Sequence, residues 1–294
     1  MQAQKNQFIA CDKSYEEADT VLFGAPYDST TSFRPGTRFG PSAMRMESFG
    51  IETYSPLQDR DLVDDARAFD AGDIELPFGA PEPALKMIEE RTAQILEDGT
   101  RPFLLGGEHL VTLGAFRAVL KQHPDVVVIH FDAHADLRAD YLGNPLSHAC
   151  VLRRIHDLVG DGRIFQFGIR SGTREEFAFM KAGHVTTEPF SDTTLASVVS
   201  SIEQPNSPNN PNNRTIPVYL TVDMDVLDPS EFPGTGTQEA GGFRYAQLVE
   251  DVRLVCGRLN VVALDNVELN PGLDPTGRST ALACKFLREC LLAL

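Results

Sequence analysis

Apolar runs of strand length alternate along the chain with stretches of helical period. The first strand-like run is Thr20 to Phe23. Leu85, Ile88, Thr92, Ile95 and Leu96 then recur every three or four residues, which places them on one helical face, and Gly99 supplies a stop. A strand is predicted from Pro102 to Leu105, followed by a helix in which Leu110, Leu113, Arg117 and Leu120 share the same spacing. Val126 to Phe131 is apolar apart from His130, the pattern of a strand covered on both faces. Further strands are expected at Ile164 to Phe167, Val218 to Val222 and Val261 to Leu264, and a closing helix around Thr280 to Leu292. Strand, helix and strand in repeated succession read as βαβ units of an α/β fold with a parallel sheet.

No internal period of solenoid length interrupts this order. The biased stretch from Gln204 to Asn213 is rich in Asn and Pro, and the pattern resumes at Ile216. Residues 204–214 are therefore expected to be an exposed loop inside one domain spanning 1–294. No apolar run approaches the ~20 residues of a membrane span. Met1 to Asn6 shows no basic stretch leading into an apolar one, so a cytoplasmic location is expected. A hydrophobic content of 42% supports a sizeable core and excludes disordered and fibrous classes. The five cysteines have no paired spacing and read as buried thiols. A net charge of -16 argues against nucleic acid as a partner and suits a cationic ligand, although solubility accounts for it equally well.

The candidate chemistry sits just after the predicted strands. Asp132-Ala133-His134-Ala135-Asp136 directly follows the buried run. In an extended chain, positions two apart share a face, so Asp132, His134 and Asp136 are expected to converge. Asp223-Met224-Asp225 follows another strand and is expected to repeat that geometry; His109 follows a third and opens a helix. The carboxyl ends of parallel strands share one edge, where α/β sheets bind ligands. Any one of these clusters alone would read as a cap or a turn. Together they place four carboxylates close enough to repel, and two divalent cations would balance four Asp charges with His109 and His134 as neutral ligands. Mixed carboxylate and imidazole ligation favours Mn²⁺, with Zn²⁺, Co²⁺ or Fe²⁺ as alternatives.

Gly106-Gly107-Glu108-His109, Asp132-Ala133-His134-Ala135-Asp136 and Asp223-Met224-Asp225-Val226-Leu227-Asp228-Pro229 resemble the three signatures of the arginase/agmatinase (ureohydrolase) family. The likeness extends to Gly24-Ala25-Pro26-Tyr27-Asp28, to Arg34 through Pro41 and to the loop Pro233-Gly234-Thr235-Gly236-Thr237. It implies a three-layer α/β/α sandwich with a mainly parallel sheet of about eight strands, assembled as a homotrimer or homohexamer. It further implies two manganese ions, one held by His109, Asp132, Asp136 and Asp223, the other by Asp132, His134, Asp223 and Asp225. A water shared by two such metals is acidified toward neutral pH, and Asp136 would orient it. By the same resemblance Glu268 would bind the guanidinium of a small cationic substrate and His148 would carry protons to the leaving amine.

Arg138 and Ser171 stand where arginases carry the residues that recognise an amino-acid head group, and both resemble agmatinases of the bacterial type. Agmatine is therefore the expected substrate, cleaved to putrescine and urea. Arginine, a guanidino acid or formiminoglutamate are the alternatives, since Arg138 also suits a carboxylate. After Glu268 the chain departs from the agmatinase pattern of Ala-Pro and a Tyr-Asp pair, carrying Asn270-Pro271-Gly272-Leu273-Asp274 instead. A two-metal phosphoesterase is disfavoured because Glu268 would oppose a phosphate. A noncatalytic metal-binding scaffold would have no use for His148 and Glu268.

Overall fold

The computed structural model describes residues 7–204 and 215–294. Its strands are β1 (Thr20–Ala25), β2 (Tyr54–Ser55), β3 (Arg60–Asp61), β4 (Ala68–Asp73), β5 (Arg101–Gly106), β6 (Val127–Phe131), β7 (Ile164–Phe167), β8 (Thr186–Glu188), β9 (Pro217–Asp223) and β10 (Asn260–Val267). β2 and β3 form a small antiparallel hairpin. Among the described residues, the other strands make one sheet in the order β4-β1-β5-β10-β9-β6-β7-β8, with every pairing parallel. A parallel neighbour needs a crossover, and the helices supply it.

The helices are α1 (Gly40–Glu47), α2 (Leu62–Asp65), α3 (Pro81–Glu97), α4 (Val111–Gln122), α5 (Val151–Val159), α6 (Arg174–Lys181), α7 (Leu195–Glu203), α8 (Tyr245–Arg258) and α9 (Arg278–Ala293). Met44 of α1, Val199 of α7, Val252 of α8 and Phe286 of α9 share one core with Ile129 and Leu220 of the sheet. Ile88 of α3, Phe116 of α4 and Ile155 of α5 share the other with Val128 and Tyr219. Neighbouring residues of one strand thus enter opposite layers, as a period of two requires. The result is the three-layer α/β/α sandwich. Each buried Leu, Ile or Phe contributes about 1.5–3 kcal/mol by leaving water.

The six strands expected from apolar runs are present and sit inside the sheet, β7 with the expected bounds and the others with ends moved by at most three residues. The two edge strands, β4 and β8, escaped that reading because Ala68 to Asp73 and Thr186 to Glu188 contain no apolar run. α4 also differs from its expected stripe. Residues 111–116 are all buried, while Arg117 is half-buried and donates to Glu82 of α3 at 2.7 Å. The expected Asn- and Pro-rich loop at 204–214 lies, apart from Gln204, outside the described residues. All five cysteines are free and buried. Burial pushes the thiol of Cys256 up to about 12 and that of Cys150 to about 11. No helix among the described residues is long and apolar enough to cross a membrane.

Candidate active site

β5, β10, β9 and β6 are consecutive neighbours at the centre of the sheet, and their carboxyl ends deliver the chemistry. His109 lies in the turn between β5 and α4, Asp132 follows β6, Asp223 ends β9 and Glu268 follows β10. The β5 turn is tight enough that a Cβ on Gly107 would overlap the backbone of Tyr27. Beside it, buried Glu108 accepts from the N–H and Oγ1 of Thr30, both at 2.7 Å. Burial, above all, pushes Glu108 up to about 7.

The backbone corrects the expectation of simple alternation in two places. Asp136 is left-handed, with φ of 53°, so the chain turns there and does not continue extended. Met224–Val226 forms a 3-10 turn, held by Asp223 Oδ1 accepting from the Asp225 N–H at 2.8 Å. Glu268 is left-handed as well, at φ 66°. Such a conformation costs a residue with a Cβ about 1–2 kcal/mol, which the surrounding contacts must offset.

The side chains nevertheless converge. His109 Nδ1 lies 3.1 Å from Asp132 Oδ2, 3.3 Å from Asp136 Oδ2 and 3.4 Å from Asp223 Oδ2. His134 Nδ1 lies 2.9 Å from Asp225 Oδ2 and 3.5 Å from Asp132 Oδ1. All six residues expected as metal ligands therefore meet, and only His134 is not fully buried.

Proton positions follow from the partners. The Thr221 hydroxyl donates to Asp265 Oδ1 at 2.7 Å, so its lone pair accepts from His109 Nε2–H at 2.9 Å. That leaves His109 Nδ1 as a bare lone pair aimed at three carboxylates, buried and without a hydrogen-bond partner among the described residues. Only a positive charge satisfies this arrangement. In the metal-free chain a proton serves: burial opposes it, but hydrogen bonding to Asp132, Asp136 and Asp223 holds His109 well above the ordinary imidazole value. Burial raises Asp136, Asp223 and Asp225 above the usual carboxylate range, and the carboxylates around them add to the shift. A hard divalent cation matches this oxygen-rich set and relieves both strains.

Four supporting residues were not singled out from the sequence. Besides Thr221 and Asp265, Gln166 Nε2 donates to His130 Nδ1 at 3.0 Å and to the carbonyl of Ala135 at 2.9 Å. The carbonyl fixes which end of the amide faces the ring, so His130 carries its proton on Nε2 and donates to Asp132 Oδ2 at 2.8 Å. Their one signal in the sequence is a polar residue inside or beside a covered apolar strand, as at His130 within Val126 to Phe131.

An open pocket leads to this cluster, lined by Ser32, His134, Asp136, Arg138, Tyr141, His148 and Asp223 among others. His148 Nδ1 lies 2.9 Å from Glu268 Oε1, which also accepts from the His109 N–H at 2.9 Å. Glu268 is 1% exposed and stands behind His148, outside the pocket lining. Burial works against charge on His148, but Glu268, Glu108 and Asp136 outweigh it and raise the ring to about 9 in the metal-free chain. Ser32 serves both states of that ring. Its N–H donates to the neutral Nε2 at 2.9 Å, and its Oγ, at 2.7 Å, accepts from the protonated one. Arg138 is held to the pocket wall, its Nε 3.7 Å from Glu176 Oε2 and its guanidinium 5.4 Å from the centre of the Tyr141 ring.

The chain is similar to known proteins over nearly its whole length. The Arginase family model matches residues 18–293. An agmatinase of Bacillus subtilis is 45% identical over 97% of this chain and 95% of its own. A guanidinobutyrase of Pseudomonas aeruginosa is 34% identical over 94% of this chain and 86% of its own. The crystal structure of a putative agmatinase from Clostridium difficile superposes with a TM-score of 0.88 at 46% identity, covering 95% of this chain and 98% of that one. Sequence, fold and strand-end cluster together make this chain a member of the arginase family of metal-dependent ureohydrolases.

Proposed function

We propose that the chain hydrolyses agmatine to putrescine and urea with two Mn²⁺ ions per subunit. The observation that carries the metal reading is the unpartnered Nδ1 of His109 facing three carboxylates. In this reading His109, Asp132, Asp136 and Asp223 hold one ion, and Asp132, His134, Asp223 and Asp225 the other. Bound there, the ions supply Lewis acidity and a water ionised near neutral pH.

The chain's own groups do the rest. Asp136, which lines the pocket, accepts a hydrogen bond from the attacking water and orients it. His148 passes a proton to the departing amine, with Ser32 matching each protonation state of the ring. Glu268 pairs with the planar guanidinium. Both of its present contacts use Oε1, and substrate reaches it when the His148 ring gives way. Tyr141 supplies an aromatic wall that the residues after Glu268 do not. The engagement of Arg138 with Glu176 weakens its claim as a grip for a substrate carboxylate.

Agmatine is favoured over a guanidino acid by the 45% identity to an agmatinase against 34% to a guanidinobutyrase. A screen of agmatine, arginine, guanidinobutyrate and guanidinopropionate for urea, with formiminoglutamate assayed for formamide, tests the reading. Fastest turnover on agmatine is expected; no urea from any guanidino compound by the Mn²⁺-loaded enzyme would refute it. His148→Ala should keep its metal content and lose roughly 10²- to 10⁴-fold in kcat.

A further inference from the structure

A second group of metal-competent side chains stands at the opposite edge of the sheet, away from the strand-end cluster. His156 lies in the last turn of α5, Asp161 in the loop entering β7, and His184 in the loop between α6 and β8. His156 Nε2 is 2.8 Å and His184 Nδ1 2.9 Å from the same oxygen, Asp161 Oδ1. We propose that His156, Asp161 and His184 bind a single zinc-type transition-metal ion, separately from the ions of the candidate active site.

The three donor atoms lie within 4.8 Å of one another, each contributed by a different segment. A tetrahedral zinc with N and O ligands at about 2.0–2.2 Å holds its donors about 3.3–3.5 Å apart. An ion therefore needs the two N···O contacts to open by about 0.5 Å, with metal bonds replacing the imidazole protons. Asp161 can make that adjustment because its side chain is 62% exposed.

The rings, by contrast, are set by packing. Phe179 of α6 stacks on His184 with centroids 4.3 Å apart and meets His156 edge-on at 4.9 Å. His156 is 13% and His184 39% exposed, which leaves an open side for the ion to enter and for water as a fourth ligand. The cluster lies at the C-terminal ends of α5 and α6, where helix dipoles favour a cation. The guanidinium of Arg153 lies 4.9 Å from the Phe179 centroid, and its Nε is paired with Asp157 at 3.2 Å. Two imidazoles and one carboxylate select Zn²⁺ or Co²⁺ over the harder Mn²⁺, so this site and the oxygen-rich one sort different ions.

The test is equilibrium dialysis of Mn²⁺-loaded enzyme against low-micromolar Zn²⁺, with both metals counted per chain. Wild type should take up one Zn²⁺ more than Asp161→Asn and His184→Ala, while Mn²⁺ content and urea release stay the same in all three. With Co²⁺ as the probe, the wild type should show the visible absorption of a tetrahedral ion and the variants should lack it. Equal Zn²⁺ uptake by wild type and both variants would overturn the proposal. So would wild-type uptake matched by an equal loss of Mn²⁺, because the zinc would then occupy the strand-end cluster.

Discussion

Thr221 has one hydroxyl proton, which goes to Asp265, so the oxygen can only accept from His109. Tyr219 and Thr112 also donate to Asp265, at 2.7 and 2.8 Å, and with His109 they oppose the burial that raises this carboxyl above the usual carboxylate range. A hydroxyl outside the proposed ligand set thereby decides which His109 nitrogen would meet a metal. Thr221→Val keeps the shape and removes the acceptor, and Mn²⁺ affinity should fall roughly 10- to 100-fold. Thr221→Ser should restore it, with titration calorimetry as the measure; equal affinity in all three proteins would show that the hydroxyl sets nothing. At this scale the sequence discloses the cluster, because three segments bearing Asp or His each follow an apolar strand. It conceals Thr221 and Gln166, which are ordinary strand residues until the fold shows what each one faces.

Elements are legible in proportion to how thoroughly they are covered. The strands of the sheet interior are buried on both faces and announce themselves as apolar runs, whereas β4 and β8 have a neighbour on one side only. The loop after β10 shows the opposite case, a segment that departs from the agmatinase pattern yet is fully employed. Asn270 donates to the carbonyls of Arg34 and Pro35 at 3.0 and 3.2 Å, tying the residues after Ser32 to the sheet. Asp274 accepts from the N–H and Oγ of Ser279 in the first turn of α9, at 2.8 and 2.7 Å. Burial opposes the charge on Asp274, but those donors and Thr276 hold it down to about 2. Asp274→Ala should cost about 1–2 kcal/mol in urea denaturation. Because the folded value is depressed, the contribution is present above the unfolded carboxylate range near 4 and is lost as pH falls toward 2. Wild type and variant should converge there, and a constant gap down to acid would reject the assignment.

At the level of the whole molecule, the two cores lie on either face of the sheet and the strand-end cluster belongs to neither. Removing metal should leave the layers standing while returning repulsion to the carboxylate cluster. Chelated protein is expected to keep its far-ultraviolet circular dichroism and melt at a lower temperature. Each of the two proposed sites should restore about 2.7 kcal/mol when Mn²⁺ is re-added at a hundred times its Kd. Identical melting with and without Mn²⁺ would mean that the cluster does not bind it.

The shielded cysteines give the molecule an internal clock. An alkylating reagent attacks thiolate, and these sulfurs are both hidden from solvent and, at Cys150 and Cys256, reluctant to ionise. Modification must then wait for an opening of the structure, so its pace counts excursions from the native state. Manganese should slow that clock for a thiol whose exposure requires the strand-end site to come apart, and leave it unchanged for one released by fraying elsewhere. Mass spectrometry of the alkylated peptides would sort the five cysteines into those two groups and so map which parts of the sandwich the metal holds shut.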